Sequence, residues 1–280
     1  MIQTGVAGRP LADEVIEADV RGRRLRIAVR RPSGGRTTRV PLLLLNGIGA
    51  SIEVLQPFVD ALPAELEVIR FDVPGVGGSP LPTVPYHLTT LAPLVGDLLT
   101  RLGHRRADVL GYSWGGGLAQ QFVVTQPDRC RRLVLACTGT GVLMVPGRPA
   151  VLARMLTPRR YRDPAYARRV AAELYGGSMR THPERAAEIL RVGRRGPDRG
   201  YLYQLLAGVG WSSLPVLPLI RQPTLIVAGD DDPLIPTVNA KIMQRAIPDA
   251  RTHLYAGGHL ALLTDADRLA PVIDDFLRGS

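Results

Sequence analysis

The chain is short of cysteine, lysine, aromatic residues and long apolar runs, and each shortage excludes something. Its two cysteines, Cys130 and Cys137, flank one expected strand. They offer neither a disulfide framework nor zinc-site spacing, and structural thiols in a reducing compartment account for them. No apolar stretch approaches the roughly 18 residues that a membrane-spanning helix requires. Residues 1–10 lack the basic and then apolar order of a secretory leader, so the expected location is the cytoplasm. Lysine occurs once, at Lys241, among 35 basic residues that leave a net charge of +10. A pI near 10.4 raises the question of nucleic acid, but no DNA- or RNA-binding motif accompanies it, and no such partner is expected. Internal repeats and low-complexity segments are absent too.

What is present is ordinary for a globular protein, with 45% hydrophobic and 21% charged residues. The length allows one large domain with an insertion. Residues 15–20 and 25–29 alternate apolar and polar around Arg21-Gly22, predicting a hairpin. Residues 40–45, 66–71, 132–136, 223–228 and 251–255 read as strands, as does the apolar run 109–110 that enters Gly111. Between them, helical spacing runs over 52–62, 87–102, 118–126, 236–246 and 265–277. Continuous apolar strands alternating with helices predict a doubly wound, mostly parallel sheet. The alternation fails over 142–213, a stretch with helical patterns, frequent Pro, Gly and Arg, and six of the fourteen aromatics. The expected organisation is therefore an α/β core of residues 1–141 and 214–280, carrying a helical cap over 142–213.

The chain turns on Gly111-Tyr-Ser-Trp-Gly115, which follows one strand and opens a helix. A turn that sharp brings the positions two before and two after the serine into collision unless both are glycine, and it lifts the serine hydroxyl off the sheet. Alone, G-x-S-x-G is a weak pattern; its meaning depends on what ends the other strands. A serine is inert without a base, and His259 follows a strand behind two glycines. The base needs a carboxylate to fix its tautomer, and the strand end at Gly229 offers Asp230, Asp231 and Asp232. Pro233 restricts the residue before it, which favours Asp232 as a carboxylate held in one orientation. An oxyanion would be met by the backbone N–H groups of Ile48 and Trp114.

Other residues read as structural. His87, His104, His182 and His253 do not stand at strand ends, and Asp72 suits a turn. Gly47-Ile-Gly49 has Ile52 where a dinucleotide fingerprint wants its third glycine. No His, Cys and Asp cluster shows metal spacing, so neither metal nor cofactor is expected.

Together these residues resemble the α/β-hydrolase superfamily. A narrower resemblance rests on Asn46-Gly-Ile-Gly-Ala50, Phe71-Asp-Val-Pro-Gly-Val-Gly-Gly-Ser79, Gly111-Tyr-Ser-Trp-Gly-Gly116, Val145-Pro-Gly147, Pro158-Arg-Arg-Tyr161, Tyr175-Gly-Gly177, Ile220-Arg-Gln-Pro-Thr224 and Ala228-Gly-Asp-Asp-Asp-Pro-Leu-Ile-Pro236. These stretches are similar to intracellular medium-chain-length polyhydroxyalkanoate depolymerases. The resemblance implies a serine esterase that cuts polyesters of (R)-3-hydroxy acids, with Ser113, Asp232 and His259 as its triad. Tyr112 departs from it, standing where a smaller apolar residue is expected.

Three readings follow: a polyester depolymerase, a carboxylesterase or lipase on smaller acyl esters, and a catalytically silent hydrolase fold that binds a ligand or coats granules. A pocket for the acyl chain is expected in the cap, from Met144, Leu152, Met155, Leu174 and Trp211. The cap also holds thirteen arginines against five acids. It thus carries most of the net charge and is expected to face an anionic surface, such as a coated polymer granule.

Overall fold

The computed structural model describes residues 13–35 and 37–279; residues 1–10, read above for a leader, lie outside the described residues. An antiparallel hairpin comes first. β1 (Glu14–Val20) and β2 (Arg23–Arg30) are joined by Arg21-Gly22, both at positive φ. β2 then pairs antiparallel with β4 (Val68–Phe71). The remaining pairings are parallel, through β3 (Leu42–Leu45), β5 (Ala107–Tyr112), β6 (Cys130–Ala136), β7 (Thr224–Gly229) and β8 (Ala250–Tyr255). The sheet has the order β1-β2-β4-β3-β5-β6-β7-β8. β3, β4, β5 and β7 are buried along their whole length, and this burial on both faces is why they read as largely apolar runs, interrupted only by the buried Arg70, Asp108 and Thr224.

Helices cover both faces. α1 (Gln56–Ala61), α2 (Leu88–Arg101) and α3 (Trp114–Thr125) precede β6. Between β6 and β7 no strand joins the sheet. The chain there forms α4 (Pro149–Arg154), α5 (Arg159–Arg162), α6 (Pro164–Tyr175), α7 (Glu184–Val192) and α8 (Asp198–Ala207). α9 (Val238–Ala246), α10 (Ala261–Thr264) and α11 (Ala266–Arg278) complete the order. One apolar layer packs Phe58 and Val59 of α1 with Leu269, Ile273 and Phe276 of α11, and extends to Leu174 of α6. The opposite layer packs Leu91 and Leu98 of α2 with Phe122 of α3 and Met243 of α9.

The helix expected over 52–62 is shorter than its spacing suggested. Ile52, Val54, Leu55, Phe58, Val59 and Leu62 are all buried, but the first of them lie in turns. The Asp72 carboxylate accepts the Ile52 N–H at 2.8 Å and the Asn46 amide donates to the Ser51 carbonyl at 2.7 Å. These side-chain bonds replace the first helical turn, and α1 begins only where Pro57 fixes φ at its start. Asp72 also accepts from Gly78 N–H and Arg26. Burial raises its pKa, against the pull of these donors. It is a turn residue, as the sequence indicated.

Candidate active site

Strand order reverses between β3 and β5: the chain leaves β3 to build β4 on one side, then returns to build β5 on the other. Loops after these two strands separate there, opening a crevice at their carboxyl ends. The loop after β3 carries Ile48 and the turn after β5 carries Ser113. At the elbow, Ser113 is held at φ 54° and ψ −118°. Such a conformation costs on the order of 1–3 kcal/mol and persists only where neighbours enforce it. Three bonds do so here. Ser113 N–H donates to the Ala136 carbonyl at 2.9 Å, and its own carbonyl accepts from Gly116 N–H at 2.9 Å and the Thr138 hydroxyl at 2.7 Å. Both flanking glycines are obligatory. A Cβ on Gly111 would lie 2.5 Å from the Gly116 Cα, and one on Gly115 would lie 2.1 Å from the Leu45 carbonyl oxygen.

His259 follows β8 and is 4% exposed. Its Nε2 lies 2.9 Å from Ser113 Oγ, and its Nδ1 lies 2.7 Å from Asp232 Oδ2. The backbone of His259 is pinned at both ends: its N–H donates to the Tyr175 carbonyl at 2.7 Å, and its carbonyl accepts from the Tyr112 hydroxyl at 2.8 Å. The rings of Tyr112 and Tyr175 lie 5.6 and 6.5 Å from the imidazole. Burial holds both phenols above their ordinary range, so they remain neutral. Tyr112, the departure noted in the sequence, is thus a brace for the imidazole.

The three aspartates separate cleanly. Asp230 accepts from Gly257 N–H at 2.9 Å. Asp231 forms a bidentate pair with Arg180, at 2.6 Å for both bonds, and this fork holds its pKa below the usual value. Only Asp232 reaches the imidazole; its other oxygen accepts from Leu234 and Ile235 N–H at 2.9 and 3.0 Å. Cys137, Asp232 and His259 do bring ligand atoms within 4.8 Å of one another, a cluster that no sequence spacing reveals. Asp232 and His259 spend those atoms on each other, and Cys137 Sγ lies 3.0 Å from the Tyr255 hydroxyl, its thiol pushed up by burial.

The loop after β3 is held from above. The Ile48 carbonyl accepts from the Tyr161 hydroxyl of α5 at 2.7 Å, and the Gly49 N–H donates to Gln204 Oε1 of α8 at 2.7 Å. Trp114 Nε1 donates to the Gln204 carbonyl at 2.8 Å. Tyr161, Tyr175 and Gln204 were missed as site residues; the crowding of aromatics into 142–213 was the only trace of the two tyrosines in the sequence, and Gln204 left none.

A family model for the α/β hydrolase fold matches residues 40–266. The chain belongs to that family. Among curated relatives, a poly(3-hydroxyalkanoate) depolymerase of Ectopseudomonas oleovorans is 47% identical over 270 residues, covering 96% of this chain and 94% of that protein. A pimeloyl-[acyl-carrier protein] methyl ester esterase of Aromatoleum aromaticum is 29% identical, covering 86% of this chain and 99% of that one. Among solved structures, the enol-lactonase from Burkholderia xenovorans LB400 superposes with a TM-score of 0.80 at 25% identity, over 94% of this chain and all of that one.

Two cavities of this hydrolase meet at Ser113. The wider, about 390 Å³ and open to solvent, is lined by Met144, Trp211, Leu88, Leu205, Val209 and Ile235 among others. The narrower, about 30 Å³, holds Ser113, His259, Ile48, Met155, Arg160 and Tyr175. Of the pocket residues expected from sequence, Met144, Trp211 and Met155 therefore border the serine. Leu152 and Leu174 line neither cavity. Leu174 is fully buried on the inner side of α6, and Leu152 packs partly buried against the same apolar cluster. Both obey helical spacing, but the surface they cover is the neighbouring helices. The wider cavity takes Leu205, Val209 and Ile235 instead, from α8, the turn after it and the loop after β7.

Proposed function

We propose that this chain is a serine ester hydrolase acting on polyesters of (R)-3-hydroxy acids with medium-length side chains, with residues 142–213 as a cap over its site. The observation that carries the substrate class is the 47% identity to a poly(3-hydroxyalkanoate) depolymerase, which extends over 96% of the chain and so includes the cap. The chemistry follows from the site. Ser113 Oγ attacks the ester carbonyl while His259 Nε2 takes its proton, and Asp232 stabilises the imidazolium. The oxyanion is met by the N–H groups of Ile48 and Trp114. Collapse expels the alcohol, to which His259 returns the proton. Water, deprotonated by His259, then clears the acyl-enzyme. The wider cavity suits an alkyl side chain, and its mouth carries exposed Val142 and Val209, an apolar rim suited to a water-insoluble polymer.

Acyl-chain length tests this reading. Each methylene buried in the wider cavity contributes about 0.8 kcal/mol, which is roughly fourfold per methylene. Across p-nitrophenyl esters, kcat/KM is expected to climb from acetyl to octanoyl. A preference for acetate would replace the polyester reading with that of an esterase for small substrates.

The same reading includes a location at granule surfaces, supported by the cap's charge. One of its thirteen arginines, Arg160, is buried and drops out of the surface count. Arg154, Arg159 and Arg162 pair within the cap with Glu173, Asp163 and Asp198. The others that are exposed, among them Arg168, Arg169, Arg191, Arg194, Arg195 and Arg199, leave the cap basic. Exposed charges are screened over about 8 Å at physiological salt. Binding to isolated granules should therefore weaken steeply between low and high NaCl, while hydrolysis of a soluble ester hardly changes. Equal responses would make the basic cap a matter of composition.

A further inference from the structure

Arg160 is a buried cation held by neutral partners alone. It is 3% exposed, and it lines the narrow cavity together with Ser113 and His259. Its neighbours at 159 and 162 pair with carboxylates; among the described residues, none stands within ion-pair distance of Arg160. Its guanidinium lies instead over the rings of Tyr161 and Tyr201, 4.7 and 5.2 Å from their centroids. It donates to the Tyr201 hydroxyl at 2.7 Å, to the Thr157 and Ile48 carbonyls at 3.4 and 3.5 Å, and to the Tyr175 side chain. Neutral acceptors and ring faces offset part of the cost of burying a charge, but a buried cation without an anion is normally selected against.

We infer that Arg160 is a carboxylate-binding residue, receiving the free acid end of the hydroxyacyl unit that leaves. The inference rests on the ester-hydrolase reading above and names a subsite within it. The cavity has room for about two water-sized groups, which is the size of the two carboxylate oxygens and far too small for a medium-length side chain. In a 3-hydroxyacyl chain the ester oxygen and the terminal carboxylate carbon are separated by only two carbons. An ester presented to Ser113 thus brings the carboxylate of a terminal unit into the same small space. Ser113 Oγ bonds to the ester carbon and its proton passes to His259. The carbon–oxygen bond then breaks with its electron pair on the leaving oxygen, which takes that proton and departs as a 3-hydroxy acid, its carboxylate on the planar guanidinium fork. Water completes the hydrolysis of the acyl-serine.

The test uses one scissile bond in two forms: the linear dimer of (R)-3-hydroxyoctanoate with a free carboxylate, and its methyl ester. For the unaltered protein, kcat/KM on the free acid should exceed that on the methyl ester by about tenfold or more, the worth of one charge-assisted hydrogen bond. In Arg160→Met that ratio should fall to near one, with most of the loss in KM for the acid; Arg160→Lys should keep part of it. A ratio near one in the unaltered protein, or one that survives Arg160→Met, overturns the inference. A role confined to holding the Ile48 carbonyl would slow both dimers alike and leave the ratio intact. Should Arg160→Met fail to fold, inhibition of the unaltered protein decides. With p-nitrophenyl octanoate as substrate, (R)-3-hydroxyoctanoate must inhibit at least tenfold more tightly than its methyl ester, or the subsite is wrong. Cleavage of neither dimer would instead remove the polyester reading, and this subsite with it.

Discussion

Ser113→Ala should lower kcat by about 10⁶-fold, the scale on which serine triads lose activity when the nucleophile is removed. The hydroxyl is the one atom lost, and nothing beside it can substitute. Cys137, the nearest thiol in the cluster around His259, is held protonated by burial and engaged with Tyr255. Alanine keeps the Cβ, and the backbone bonds to Ala136, Gly116 and Thr138 do not involve Oγ, so the elbow and the melting temperature should be unchanged. A fluorophosphonate should label the unaltered protein at Ser113 and leave the variant unlabelled. A variant retaining a tenth of the activity would remove Ser113 from the mechanism. A folded, unlabelled parent protein would favour a silent binding role.

Asp232→Asn should cost about 10⁴-fold, and the physical reason is the direction of one hydrogen bond. Asp232 Oδ1 accepts from two backbone N–H groups, of Leu234 and Ile235. An asparagine must keep its carbonyl oxygen on that side, which turns its NH₂ toward His259 Nδ1. The imidazole then has to accept at Nδ1 and carry its proton on Nε2. In that tautomer it donates to Ser113 Oγ and cannot take a proton from it. Asp230→Asn and Asp231→Asn leave the Asp232–His259 bond untouched. The first weakens a bond to Gly257, and the second loosens an exposed pair with Arg180 of the kind worth about 0–1 kcal/mol. Comparing kcat/KM across the three variants decides the matter; a collapse confined to 230 or 231 would reassign the carboxylate.

Much of this was legible in the chain because strand ends punctuate themselves. Gly111 and Gly115 bracket a serine for steric reasons that sequence alone expresses, and Gly257-Gly258 announces His259 in the same way. The parallel strands were readable because burial on both faces leaves little room for polar residues. The segment after β3 misled because helical spacing records which side chains are buried, while Asp72 and Asn46, acting from elsewhere, decided that its first turn would not be helical. The stretch 142–213 was harder for a related reason. Leu174 and Leu205 both recur at helical spacing, and nothing local distinguishes a face packed on other helices from one facing a cavity. Arg160 lay beyond reach for the opposite reason: a count of charges places every arginine at the surface, and only the folded chain shows one enclosed by tyrosines.

The peptide between Ile48 and Gly49 is gripped at both ends by side chains of the inserted helices, Tyr161 on its carbonyl and Gln204 on its N–H. The Tyr175 carbonyl, from the same insertion, holds the backbone of His259. This makes the arrangement an interlock. Lifting these helices far enough to admit a folded protein or a bilayer would release the loop that carries Ile48 and slacken the backbone of His259 in the same movement. The arrangement around Ser113 therefore stands only while those helices are seated, and it comes apart as they lift.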